Sequence, residues 1–136
     1  MDLLELIRRP IHLHAKADDL AIGFEGAEVT VGGKPSRWLL EPGPARDTFM
    51  IHSVEEPALA WTALEGTSPL RIGLLPPHAP GLSDFRFVPV AGEEDTYEIL
   101  HGQDKGVAIH RPDETGRQPL TLLGIPSACR ILVTLA

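Results

Sequence analysis

Six histidines and one cysteine are the residues of this chain best suited to hold a metal or attack a substrate. His12 and His14 stand two positions apart. On a strand that spacing puts both rings on one face, where they could chelate. No cysteine or acid sits at ligand spacing nearby, and Ile11 and Leu13 alternate with them. The alternation reads as an apolar face turned inward and two histidines turned to solvent. His52, His78, His101 and His110 are dispersed over strand ends and loops. Cys129, in Ser127-Ala128-Cys129-Arg130, has no glycine-rich elbow or oxyanion motif around it and reads as a structural cysteine. Gly32-Gly33-Lys34-Pro35-Ser36 shares letters with the end of a phosphate-binding loop. The first glycine of that motif is missing, a proline precedes the serine, and no helix follows. The acidic pairs Asp18-Asp19, Glu55-Glu56 and Glu93-Glu94-Asp95 fall in turns, where adjacent carboxylates are solvated. Paired acid–base work needs a cleft that holds two acids at a fixed separation. The chain is therefore expected to be no enzyme, with no metal and no cofactor.

The elements that carry these residues follow from a repeat. Residues 38–42 match 85–89, 47–51 match 95–99, 59–61 match 107–109, and 70–73 match 120–124, with the offset growing from 47 to 50 residues. Loop insertions into a duplicated unit produce that drift. The same grammar recurs upstream, more faintly, in Ile11-His12-Leu13, Leu20-Ala21-Ile22 and Val29-Thr30-Val31-Gly32. Each segment alternates with period two, as a half-buried strand does. Trp38 and Leu40 share a face, as do Phe49 and Ile51, Phe85 and Phe87, and Tyr97 and Ile99, so these rings are expected in the core, with Trp61 beside them. Residues 41–47, 65–69, 91–95, 101–106 and 113–117 carry turn chemistry. The upstream copy lacks an opening strand. Ile131-Leu132-Val133-Thr134-Leu135 is read as that strand, closing the barrel, while Leu3-Leu4-Glu5-Leu6 is the rival for the place or a short helical turn. Twelve strands in three sets of four make a six-stranded barrel capped by three hairpins, which leaves no open sheet edge.

Size and composition agree with one such unit. The 136 residues suffice for a single core, and 43% hydrophobic with 23% charged residues is a globular balance rather than a disordered one. Gly and Pro occur 13 times each without a collagen period, which suits many short strands and turns better than long helices. A net charge of −7 without a Lys/Arg cluster excludes a phosphate backbone or an anionic membrane as partner. A single cysteine forms no intrachain disulfide. The amino-terminal residues have acids within their apolar stretch and so do not read as a signal peptide, and no run is long enough to span a bilayer. Cytoplasmic residence is the expectation, and the absence of Asn suggests a bacterial coding bias.

The order aromatic-x-aliphatic-x-Pro, a glycine-containing turn, then aromatic-x-Ile is carried by Trp38 to Ile51 and Phe85 to Ile99. It resembles the repeat of the β-trefoil protease inhibitors first known from mushrooms, which have bacterial relatives. The resemblance covers roughly residues 10–136. It implies an all-β, β-trefoil fold of three four-stranded repeats with pseudo-threefold symmetry, at about 10–36, 37–84 and 85–136, with residues 1–9 an extension or first strand. The Gln-x-Trp signature of ricin-like lectins, which share this fold, is absent.

The irregular place in the repeat is the candidate site. Six residues separate Gly32 from Trp38 and seven separate Gly124 from Ile131, but twelve separate Gly73 from Phe85. Leu74, Leu75, Pro76, Pro77, His78, Pro80 and Leu82 fall in that insertion. Its prolines stiffen an extended segment and its leucines supply apolar surface. Such a loop enters a groove with little entropy lost. The expected function is recognition of a protein partner through this loop, a protease being the class the resemblance implies. The alternatives are a structural subunit of a larger bacterial assembly and a carbohydrate-binding trefoil.

Overall fold

A computed structural model describes residues 2–77 and 81–136. Twelve strands form one sheet: β1 (Ile11–Ala15), β2 (Leu20–Glu25), β3 (Glu28–Val31), β4 (Trp38–Pro42), β5 (Phe49–Ser53), β6 (Ala60–Leu64), β7 (Leu70–Leu75), β8 (Arg86–Pro89), β9 (Thr96–His101), β10 (Lys105–Ile109), β11 (Gln118–Gly124) and β12 (Ile131–Leu135). The described helical residues are two 3-10 turns, Leu3–Leu6 and Ile125–Ser127.

Six strands close a ring. β12 pairs β1, β1 touches β4, β4 pairs β5, and β8 pairs β9, which returns to β12. The remaining junction, β5 to β8, is an isolated bridge between Phe49 and Phe85, with reciprocal N–H···O bonds of 2.7 and 2.9 Å. The other six strands are the hairpins β2–β3, β6–β7 and β10–β11. Their second strands meet in a triangle, β3 with β7, β7 with β11 and β11 with β3.

The carboxyl-terminal strand takes the closing place: Ile11 to Ala15 pair residue for residue with Leu135 to Ile131. Leu3–Leu6 is a 3-10 turn capped by Asp2, whose side chain accepts from the Leu4 N–H. Its Leu6 is buried at 2% exposure, with Leu3 and Ile7 packed beside it on the core.

Alternation explains the interior. Burial in β1, β4 and β5 alternates at every second residue, so Ile11, Leu13, Ala15, Trp38, Leu40, Phe49 and Ile51 all point inward. Trp38, Trp61 and Phe85 are fully buried. They stack edge to face in series, Phe24–Trp38 at 6.3 Å, Trp38–Trp61 at 5.6 Å and Trp61–Phe85 at 5.8 Å. A second chain runs Phe49–Phe87–Tyr97, with both centroid separations 5.9 Å. The perpendicular geometry sets positive ring edges on negative faces.

Candidate functional site

The structure divides the 74–82 insertion differently from the sequence. β7 runs on to Leu75, two residues past the expected end. Leu74 is 1% exposed and belongs to the core, not to a binding loop. The reason is periodicity: Leu74 lies two places after buried Ile72 and so shares its inward face. Leu75 is half-buried and pairs with Ala60. Leu82 is also taken from the loop surface, packing on the core while its carbonyl accepts from the Ala63 N–H at 2.8 Å. Next to it the buried Ser83 and Thr62 hydroxyls bond at 2.9 Å, and Thr62 donates onward to the Ala60 carbonyl. What remains as loop is short. Pro76 and Gly81 are exposed and Pro77 is half-buried, while His78, Ala79 and Pro80 lie outside the described residues.

Four histidines have a structural task. The Nδ1–H groups of His12, His52, His101 and His110 donate to the backbone carbonyls of Ser36, Pro57, Asp84 and Arg111 at 2.8–3.2 Å. His12 and His14 do share a face, with ring centroids 6.1 Å apart, and both are half-buried rather than fully solvated. Among the described residues no three His, Cys, Asp or Glu side chains gather as a metal site. Cys129 is partly buried against the core, and burial pushes its thiol up to about 11. A thiol so placed is a poor nucleophile near neutral pH.

Two acids expected to be merely solvated are engaged within the chain. Glu93 accepts from Lys16 Nζ at 2.9 Å and Arg130 Nη1 at 2.7 Å, and its carboxyl is held below the usual range, chiefly by the Lys16 hydrogen bond. Glu55 pairs with Arg37 at 3.4 Å. Burial works against its charge, but its own backbone N–H and Arg37 prevail and hold it low. Both acids sit within reach of cations 18 or more residues away along the chain, which a local reading of turn composition does not reveal.

The described clefts are lined by residues other than those of the 74–82 insertion. One of about 480 Å³ is lined by Arg71 and the 110–115 segment, and one of about 300 Å³ lies between Glu25, Thr30–Gly33 and Thr115–Arg117. A third, of about 270 Å³, is bounded by Phe24, Lys34, Pro35, Ser36 and Glu55. Sequence reasoning weighed Lys34, Pro35, Ser36 and Glu55 only in their own segments and did not join them to Phe24. A signal was present: Phe24 is the aromatic that no match in the repeat accounts for.

No family model matches the chain, and no curated protein matches it in sequence. Solved structures do. A Macrolepiota procera ricin B-like lectin in complex with lactose superposes with a TM-score of 0.74 at 9% identity, over 96% of this chain and 97% of that one. The BEL β-trefoil matches at 0.69 and 12% identity, over 96% and 94%. A mosquitocidal holotoxin matches at 0.77 and 12% identity over 95% of this chain, which spans 17% of the toxin's length. These likenesses define the fold as a β-trefoil.

Proposed function

We propose that this chain is a recognition module that holds a partner and performs no chemistry on it, and that the partner is a protein gripped by the loop between β7 and β8. The observation that carries the reading is the clamp at the loop's ends. Leu75 on β7, Leu82 and Ser83 are all tied to the single strand β6, through Ala60, Ala63 and Thr62. Ends held this way reduce the ordering cost that binding through the loop must meet. With Leu74 and Leu82 committed to the core, contact falls to Pro76, Pro77 and the segment up to Gly81. A protease is the partner class implied by the resemblance of the repeat.

The same reading takes the strands as three copies of a four-stranded unit with pseudo-threefold symmetry. The three hairpins, the triangle of their second strands and the three long ring pairings β12–β1, β4–β5 and β8–β9 support it.

The test is a panel of serine and cysteine proteases titrated with the intact protein and with a variant whose residues 76–81 are replaced by two glycines. Binding by the intact protein and its loss in the folded variant is the expected result. Equal binding by both would remove the loop from consideration.

A second reading, carbohydrate recognition, is favoured by a different observation. The likeness to a lectin solved with lactose extends over nearly the whole of both chains, and this chain has surface clefts that carry charged and hydroxyl side chains.

A further inference from the structure

We infer that the cleft between Phe24, Lys34, Ser36 and Glu55 is a monosaccharide site, taking a hexopyranose ring against Phe24; this rests on the carbohydrate reading above. The cleft's volume, about 270 Å³, is near the lower end of small-molecule sites, about 300 Å³, and suits one sugar ring better than a larger ligand.

A pyranose has two faces of different chemistry. Its axial C–H groups make an apolar patch that packs on an aromatic face, and its hydroxyls need partners that both donate and accept. The cleft supplies each. Phe24 is half-buried, its ring edge-to-face with the fully buried Trp38 at 6.3 Å, so the wall it forms is fixed from behind. It is the one aromatic side chain other than histidine that is not buried. Glu55 is the acceptor. Arg37 Nε at 3.4 Å and the Ser53 hydroxyl at 3.5 Å orient its carboxylate, and it stays ionised. A planar carboxylate so held can accept from two neighbouring hydroxyls.

The donors are unspent. Lys34 makes no ion pair or hydrogen bond among the described residues, although it stands in the cleft wall. Ser36 lines the cleft with its hydroxyl open to it, bonded to no other described residue. The backbone beneath is tightly fitted. A Cβ on Gly23 would collide with the Lys34 carbonyl oxygen, so only glycine lets the 33–36 segment lie against β2 and bring Lys34 and Ser36 beside Phe24.

The other described clefts lack this combination. Those around the 110–117 segment contain no Phe, Tyr or Trp. The groove beside Leu4, Ile7 and residues 42–49 includes Phe49, but that ring is 9% exposed and turned to Phe87.

The test is saturation-transfer NMR on the whole protein with the methyl glycosides of galactose, glucose and mannose and with N-acetylglucosamine, followed by titration of any that respond. At least one is expected to bind in the millimolar range and to be weakened about tenfold or more by Phe24→Leu, which keeps apolar bulk but removes the ring. Lys34→Ala, which breaks no hydrogen bond or ion pair among the described residues, is expected to weaken it severalfold and guards against misfolding of the first variant. A sugar that binds but ignores both substitutions overturns this site and leaves the carbohydrate reading standing. No response from any sugar at tens of millimolar overturns both, and leaves recognition by the β7–β8 loop untouched.

Discussion

Trp38 and Trp61 occupy nearly the same environment, fully buried and edge to face with one another, but differ in one hydrogen bond. The Trp38 indole N–H donates to the Ile22 carbonyl at 3.1 Å, whereas that of Trp61 has no partner among the described residues. Trp38→Ala should cost about 3–5 kcal/mol of unfolding free energy, as other large core truncations do. The finer contrast is with phenylalanine. Trp38→Phe deprives a buried carbonyl of its donor, while Trp61→Phe removes a donor that was itself unsatisfied, so the first should be more destabilising by about 1–3 kcal/mol in urea titrations. Equal costs would mean that the Ile22 bond contributes nothing. Cys129 gives a second measurable consequence. With its thiol near 11, roughly one molecule in a thousand carries the thiolate at pH 8, so labelling by a disulfide reagent should be slow when folded and fast in denaturant. Inward-facing rings were legible because period-two alternation is local. The partner of an indole N–H was not, since Ile22 and Trp38 meet only through the fold.

Strand ends were harder to read than strand centres. Every predicted segment holds a strand, but Leu74 and Leu75 prolong an apolar run with no breaker before Pro76, and the missing signal moved two residues from loop to β7. The consequence for the loop is specific. Replacing residues 76–81 by two glycines should change stability by less than about 1 kcal/mol, because loop length is a weak logarithmic cost. Removing Leu74 as well should unfold much of the molecule, since it is a buried leucine of β7. Chemical denaturation of the two deletions separates these outcomes. The cleft beside Phe24 was less legible still. Phe24, Lys34 and Glu55 come from β2 and two different turns, and only the close approach at Gly23 brings the first two together. Gly23→Ala should push the 33–36 segment away and lower any sugar affinity more than Lys34→Ala does, which a titration of both variants would reveal.

At the scale of the molecule, the ring closes where β1, β9 and β12 meet, and Glu93 lies there between Lys16, just past β1, and Arg130, just before β12. The Glu93 carboxyl is held below its ordinary value of 4.5, first by the Lys16 hydrogen bond. Its contribution to stability is therefore complete above about pH 4.5 and is lost as pH falls through the lower folded value. Glu93→Gln should be less stable than the parent near pH 7 and should show a shallower decline on acidification, read from melting temperatures across pH 3–7. Net charge and composition, legible at once, indicated none of this, because the three residues are separated by up to 114 positions along the chain. The position of the seam also bears on how the protein is made. β12 follows the other eleven strands in chain order and pairs with both β1 and β9, so the ring stays open until residue 135 has left the ribosome. Nascent chains must wait with β1 and β9 unpaired along one side, which makes chaperone contact and sensitivity to added protease features of synthesis rather than of the finished molecule.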